Sequence, residues 1–212
     1  MKMKNMLIGG MSLVLVACIS IGGTLAYLTA KTGPVTNTFT GSTGISMTLN
    51  EAPVKLDENT GGYVEDTGER VTENKYQNVI SNVPNAKDPT VTLTSVPAGG
   101  VKVYAYINGV DTVPTTDHYT AEVNIDDAWT KVYPDGEGVD GVYVYGTATA
   151  ATTVNEEKPL EDIFTTVTFE YDQEGSVKPT FKEIQVKAFA IQSAATDSDA
   201  LDAAKTAFGL NQ

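Results

Sequence analysis

The feature that most constrains the fold is a strict alternation of apolar and polar residues, which recurs in short segments along much of the chain. Residues 45–49 read Ile-Ser-Met-Thr-Leu, and residues 90–94 alternate in the same way directly after Asp88-Pro89. Successive side chains of a β-strand point to opposite faces, so each segment predicts a strand with one face in a core. The same pattern occurs in residues 101–107, 121–125, 142–145, 163–171 and 184–190.

The longer segments also predict which side chains share a face. In residues 101–107 one face is aliphatic, while the other carries Tyr104 and Tyr106. Because the side-chain period of a strand is two, alternate residues of 163–171 are expected on one core-facing side. These residues are Ile163, Thr165, Val167, Phe169 and Tyr171.

Turn-forming residues separate the predicted strands, and no helical pattern intervenes among them. The turns are Asn108-Gly109, Pro134-Asp135-Gly136 and Glu174-Gly175. Glycine, proline and asparagine readily adopt the backbone conformations that tight turns require. About seven or eight short strands in succession are typical of an antiparallel β-sandwich, and we expect one of jelly-roll or Greek-key type over residues 44–212.

Two stretches of that domain depart from the strand pattern. Residues 52–72 are acidic and contain several glycines, and we expect an exposed loop or flexible insertion there. Residues 198–208 predict one short C-terminal helix, because Leu201, Ala204 and Phe208 fall on one helical face. Oxygens of Asp197 to Asp199 are expected to cap the start of this helix, and Gly209 is expected to end it.

The first residues have the pattern of a secretory signal peptide. Lys2 and Lys4 precede an uncharged run from residue 6 to residue 28, and the small residues Thr24 and Ala26 lie near the end of this run. This order of basic, apolar and small residues predicts a signal peptide over residues 1–26. Cleavage is expected after Ala26 or Tyr27, and contact with a membrane only through the uncleaved signal.

Cys18 offers an alternative interpretation of the same segment. Leu15-Val16-Ala17-Cys18 matches a lipoprotein box, in which the cysteine becomes a lipidated first residue. The apolar run continues past Cys18, however, where a lipoprotein sequence normally turns polar. Cys18 is also the single cysteine of the chain, so no internal disulfide can form. An exported chain without disulfides fits a Gram-positive bacterial surface better than an animal secretory pathway.

The charge of the chain excludes one large class of partners. The sequence holds 27 acidic and 14 basic residues, for a net charge of −13, and loss of Lys2 and Lys4 with the signal gives −15. Nucleic-acid binding depends on basic side chains that displace counterions from phosphates. We therefore expect no nucleic-acid partner, and a soluble exported subunit instead.

Catalytic chemistry has few residues to use in this sequence. His118 is the single histidine, so no HExxH motif or histidine cluster exists. Adjacent residues of an extended chain point to opposite faces, so we expect Asp117 and His118 not to bind one metal ion together. No Gly-x-Ser-x-Gly element is present either. We expect neither an enzyme nor a cofactor. Calcium stays open as a weak alternative, because a glycine-rich turn carries three carboxylates at Asp135, Glu137 and Asp140.

The segment of residues 27–43 is too apolar for a free tail and too irregular for a central strand. Its one charge is Lys31, and its larger apolar side chains are Leu28, Val35 and Phe39. One interpretation is a first strand folded onto its own domain. The other is a donor strand that pairs with a sheet edge of another subunit, since strand addition relies on backbone hydrogen bonds and tolerates this composition.

Four stretches, taken in order, resemble the TasA/camelysin family of Gram-positive exported proteins, whose members carry a SipW-type signal peptide. The first is IGGTLAYLTAKTGPVTNTFTGS, at residues 21–42. The others are Asn74 to Val91, which ends in Lys-Asp-Pro-Thr-Val; Gly141-Val-Tyr-Val-Tyr145, downstream of Trp129; and Lys187-Ala-Phe-Ala-Ile-Gln192. Together they extend over nearly the whole chain.

The resemblance implies a secreted jelly-roll-like domain that a SipW-type signal peptidase processes. It also implies a place at the cell surface or in the biofilm matrix, where an N-terminal strand of one subunit completes the sheet of the next in a fibre. Expected partners are further copies or paralogous matrix subunits. Two alternatives stay open: an exported metalloendopeptidase of the camelysin type, which His118 alone does not equip, and an anchored surface domain for adhesion or binding.

Overall fold

The computed structural model describes residues 29–32, 44–111, 119–172 and 179–210. It confirms the mainly-β class, with 45% strand and 8% helix, and all its strand pairs are antiparallel. The strands are β1 (Thr29–Thr32), β2 (Ser46–Asn50), β3 (Val54–Leu56), β4 (Tyr63–Glu65), β5 (Pro84–Ala86), β6 (Thr90–Ser95), β7 (Val101–Asn108), β8 (Tyr119–Ile125), β9 (Trp129–Tyr133), β10 (Gly141–Thr147), β11 (Ala150–Ala151), β12 (Phe164–Tyr171) and β13 (Gln185–Gln192). The helix is α1 (Asp197–Phe208).

The strands form one large sheet and several smaller ones. The six-stranded sheet has the order β1-β13-β7-β10-β11, and β9 also pairs with β10. Apart from it lie a three-stranded sheet, β5-β12-β8, a two-stranded sheet, β2-β6, and a β3-β4 hairpin. The arrangement is consistent with the predicted β-sandwich.

The main core confirms the period-two pattern for most predicted strands. In β2 and the residue before it, Ile45, Met47 and Leu49 are buried while the residues between them are partly exposed. In β7 the side chains of the predicted aliphatic face, Val101, Val103, Ala105 and Ile107, are 0% exposed. Such complete burial of apolar side chains is the main contribution to the stability of a sandwich of this kind.

The opposite face of the six-stranded sheet is buried as well, because α1 packs across it. A second apolar cluster there joins three strands to the helix and comprises Tyr104, Val142, Val144, Phe189, Ile191, Ala200, Ala204 and Phe208. The predicted helix is therefore confirmed, and Ala200 takes the deeply buried place where we expected Leu201, which is only partly buried. The central strands of this sheet are covered on both faces.

The helix starts differently from the prediction. Thr196 is the N-cap: its Oγ1 accepts a hydrogen bond from the Asp199 backbone N–H at 3.2 Å. Asp197 and Asp199 lie in the first turn, where negative charge is favourable beside the free N–H groups of a helix. Gly209 ends the helix with a left-handed φ of 80°, as predicted.

Two sequence-based expectations were wrong in detail. The β12 register shifts between Phe164 and Val167, so both Ile163 and Phe164 are buried and Thr165 is exposed. A bulge of this kind inserts an extra residue and breaks the alternation. Residues 52–72, expected to be an exposed loop or flexible insertion, are mostly exposed, but β3 and β4 pair there as a hairpin.

Within the part of the chain that the structure describes, no helix is long and apolar enough to cross a membrane. The predicted signal peptide at residues 1–26 lies outside the described residues.

Candidate assembly site

β1 lies at one end of the six-stranded sheet and covers only part of its neighbour. It pairs with β13 over four residues, from Thr29 opposite Ile191 to Thr32 opposite Ala188. On the other side, β13 pairs with β7 over all eight of its residues, Gln185–Gln192. The described pairs between β1 and β13 thus cover residues 188–191 of β13.

The start of β13 borders a groove. The groove has a volume of about 320 Å³ and lies between the start of β13 and the end of β2. Its apolar lining includes Leu49, Pro89, Ile184 and Val186. The groove therefore brings apolar side chains of β2, of the start of β13 and of the residue before it, together with Pro89, to one place.

A polar pair lines the groove opposite its apolar wall. Lys87 Nζ lies 2.5 Å from Glu51 Oε1, and the two side chains are only 13% and 11% exposed. Asn74 extends the pair: its Nδ2 donates to Glu51 Oε2 at 3.1 Å and to the Ala52 carbonyl at 2.8 Å. Charges this deeply placed need partners, so the pair fixes the wall of the groove in one conformation.

An aromatic cavity of about 270 Å³ adjoins the groove and shares Asn74, Lys87, Glu183 and Ile184 with it. Its walls are mainly apolar, and the ring centroids of Phe169 and Phe181 lie 4.5 Å apart. The remaining apolar and aromatic walls are Tyr76, Val79 and Val167.

Tyr76 is fixed at the rim of this cavity by its hydroxyl group, which donates to the Ala86 carbonyl at 2.8 Å. Burial, followed by the nearby charge of Glu51, raises the pKa of Tyr76. The Tyr76 ring therefore stays neutral throughout the physiological range, and the charged residues of the cavity lining are Lys87, Lys182 and Glu183.

The single arginine of the sequence anchors the chain segment beside the groove. Arg70 Nη2 donates to the carbonyls of Asp88 and Asn50 at 2.7 and 3.0 Å and pairs with Asp88 Oδ2 at 2.8 Å. It also donates to the Thr90 hydroxyl. Asp88 Oδ1 in turn accepts the Ala52 N–H at 2.7 Å. These bonds fasten the β3-β4 hairpin to the ends of β2 and β6.

The structure does not bring the predicted calcium ligands together. Among the described residues, no group of three or more His, Cys, Asp or Glu side chains is placed to hold a metal ion. Asp135 and Glu137 are exposed, whereas Asp140 Oδ1 accepts the Val110 N–H at 2.8 Å. The Asp140 N–H donates to Asp111 Oδ2 at 2.6 Å. Asp140 therefore links the loop before β10 to the residues that follow β7.

Several predicted site residues lie outside the described residues. They are Cys18, Ala26, Tyr27, Leu28, Val35, Phe39, Asp117 and His118. The predictions of lipidation, signal cleavage and an isolated loop histidine therefore stay predictions.

Sequence reasoning missed the residues that build the groove wall. Glu51, Asn74 and Lys87 are far apart in the sequence and come together only through the hairpin between them. The sequence carries one signal, because Lys87-Asp88-Pro89 belongs to a stretch of the family resemblance, but nothing in the stretch indicates a role for its charges.

Comparison with known proteins gives no match to this chain: no family model, no curated protein and no solved structure matches it.

Proposed function

We propose that this protein is an exported structural subunit of the cell surface or biofilm matrix, and that its subunits assemble into fibres by strand addition. The segment of residues 27–43 leaves its own domain and pairs with the β13 edge of the next subunit. The observation that carries the proposal is the position of β1, a four-residue strand at the edge of the sheet that contacts β13 by backbone pairing.

When β1 is exchanged between subunits, each backbone hydrogen bond to β13 that is lost within one subunit is replaced by the same bond between two subunits. The four backbone pairs between β1 and β13 re-form when the strand comes from another subunit, so little pairing free energy is lost. The contact is head-to-tail, since donor and acceptor are different surfaces, and a head-to-tail contact that does not close into a ring produces a filament.

The acidic character of the chain supports an exported subunit that stays dispersed before assembly. A net charge of −13 over 212 residues produces mutual repulsion between folded subunits. Assembly by a neutral backbone edge avoids burying those charges.

The test is a disulfide that locks β1 onto its own subunit. Ala30 and Ala190 are partners in the register, so the Ala30→Cys/Ala190→Cys variant is expected to close an internal disulfide under oxidising conditions. Oxidised protein should stay monomeric in sedimentation and electron microscopy, and reductant should restore fibres. Fibres formed by the fully oxidised variant would contradict strand exchange.

A matched control places the disulfide one strand further into the sheet. Ala105 and Ala188 are partners between β7 and β13, so Ala105→Cys/Ala188→Cys locks β13 to β7 and changes no residue of β1 itself. This variant should assemble whether oxidised or reduced. In addition, a mixture of Ala30→Cys and Ala190→Cys single variants should form disulfides between subunits only within fibres.

The two alternative functions give different results in the same preparation. A camelysin-type peptidase would degrade casein, and a chelator would abolish that activity. An anchored adhesion domain would remain monomeric at high concentration and at acidic pH, with a diacylglyceryl group on Cys18 detectable by mass spectrometry. Fibres without casein cleavage favour the matrix subunit.

A further inference from the structure

A lysine, a glutamate and an asparagine meet in the wall that the groove shares with the aromatic cavity. Glu51 uses both oxygens of its carboxylate there: Oε1 lies 2.5 Å from Lys87 Nζ, and Oε2 accepts a hydrogen bond from Asn74 Nδ2 at 3.1 Å. Charge compensation of Lys87 requires only the first of these contacts. The second makes one carboxylate a bridge between an amine and a carboxamide.

The other contacts of the Asn74 carboxamide hold it in place and polarise its carbonyl group. Its Oδ1 accepts the backbone N–H of Val54 at 3.2 Å, and its Nδ2 also donates to the Ala52 carbonyl at 2.8 Å. A fixed N–H directed at a carbonyl oxygen stabilises the negative charge that forms on this oxygen when a nucleophile adds to the carbon. Asn74 therefore has a donor at the atom where charge would develop.

The amine and the carboxylate are largely shielded from water. The side chains of Lys87 and Glu51 are only 13% and 11% exposed, and the adjoining cavity has walls of Phe169 and Phe181. A lysine amine attacks only in its neutral form, and a carboxylate within hydrogen-bond distance is a base that takes its proton. Proton transfer from Lys87 to Glu51 leaves two neutral groups, which cost less free energy to bury than two charges.

We propose that Lys87 and Asn74 become joined by an intramolecular isopeptide bond, with Glu51 as the catalytic residue that carries the protons. The neutral Lys87 Nζ adds to Asn74 Cγ, so the Nζ–Cγ bond forms and negative charge develops on Oδ1. The charge returns to the carbonyl as the Cγ–Nδ2 bond breaks. Nζ loses two protons in all, both pass through Glu51 to Nδ2, and the leaving group departs as ammonium. Glu51 ends as the carboxylate with which it began.

The bond closes a loop of residues 74–87, which includes β5 and lies between the β3-β4 hairpin and β6. A covalent link between separated positions restricts the unfolded chain and thereby stabilises the folded one. Because Cys18 is the single cysteine, the bond takes the place that disulfides have in other exported proteins. The inference does not depend on strand addition, since all three residues belong to one subunit.

Mass spectrometry tests the bond directly. The chain of residues 27–212, produced and folded without a partner, should be lighter than its sequence by the mass of one ammonia molecule. Trypsin should release residues 71–75 joined to residues 76–102, because Lys87 is no longer a site of cleavage. Separate peptides 71–75, 76–87 and 88–102 from the folded protein would overturn the proposal, as would a mass loss that resides in the peptide containing Asn108-Gly109.

Three substitutions and a matched control assign the roles of the side chains. Lys87→Arg keeps the positive charge without a nucleophilic amine, and Asn74→Ala removes the carboxamide, so both variants should retain their full mass. Glu51→Gln removes the base and should slow the loss of ammonia after refolding by roughly a hundredfold or more. Lys182→Arg changes an exposed lysine of the same cavity lining and should lose ammonia like wild type.

Thermal melts separate the covalent bond from the ion pair. Lys87→Arg can still pair with Glu51, so its midpoint reports mainly the missing bond and should lie roughly 5–10 °C below that of wild type. Circular dichroism checks that each variant is folded before its mass is compared. Loss of ammonia from Glu51→Gln at the rate of wild type would contradict proton transfer by Glu51, and loss of ammonia from Lys87→Arg would overturn the isopeptide bond itself.

Discussion

The six-stranded sheet and the β3-β4 hairpin are stabilised by different kinds of interaction. The six-stranded sheet with α1 depends on apolar burial, and its central residues Val103, Ala105 and Ile107 are 0% exposed. The β3-β4 hairpin and its flanks, residues 51–90, depend on a small set of directional bonds from Arg70, Asn74 and Lys87. Burial tolerates exchange of similar side chains, whereas directional bonds tolerate almost none, so the two regions should respond differently to mutation.

The largest expected effect lies in the apolar region. Ile107→Ala should lower the free energy of unfolding by about 2–5 kcal/mol, since it removes buried methylene groups and leaves a cavity between the sheets. Ile107→Val, which keeps most of the volume, should cost only about 0.5–1.5 kcal/mol. Urea unfolding followed by circular dichroism measures both. A loss for the alanine variant no greater than that for valine would break the comparison.

The next effect lies in the polar region. Arg70→Met leaves the carboxylate of Asp88, which is 5% exposed, without its charged partner. Because Arg70 itself is 38% exposed and partly screened, the expected loss is about 1–3 kcal/mol. Hydrogen exchange should accelerate in residues 52–72 and stay unchanged in β7, since the hairpin opens locally.

A matched control for that variant lies within the same hairpin. Lys55 and Asp66 form an ion pair at 2.9 Å, but their side chains are 57% and 40% exposed. Lys55→Met should therefore change stability by less than about 0.5 kcal/mol and leave hydrogen exchange as it is. A loss comparable to that of Arg70→Met would show that the arginine has no special role.

A smaller effect is expected at the start of α1. Thr196→Ala removes the oxygen that caps the Asp199 N–H and should cost about 1 kcal/mol. Thr206→Ala, also exposed and in the last turn of the same helix, removes no cap and should be within about 0.5 kcal/mol of wild type. Thermal denaturation separates the two, and identical midpoints would argue against capping by Thr196.

A separate effect concerns alkaline pH. Burial raises the pKa of Tyr104, Tyr143 and Tyr145 to about 12, from 10.0. In the unfolded chain these hydroxyls ionise first, so the stability present below pH 10 should decline between about pH 10 and 12. Tyrosinate absorbance and circular dichroism should change together, and Tyr143→Phe should reduce the slope. Full ionisation of all tyrosines without unfolding would contradict burial of these rings.

Period-two patterning predicted the strands that have one buried face, including β2 and β6. It could not show that β7 and β13 are covered on both faces, because a buried Tyr104 and an exposed one look alike in the sequence. The bulge in β12 and the capping Thr196 depend on single residues whose role tertiary contacts decide. The position of β13 between β1 and β7, and the groove at its start, arise from pairing between distant segments, which no local pattern encodes.

The neighbours that surround β13 determine how many subunits can join one subunit in the proposed assembly. Phe189 and Ile191 face α1, Ala188 and Ala190 face the main core, and β7 occupies one edge. The other edge carries β1, so in the proposed assembly an incoming strand takes the place of β1 in the plane of the sheet. A subunit with one such acceptor and one donor segment joins two neighbours through this contact, and the resulting strand-exchanged filament is unbranched, with two chemically different ends.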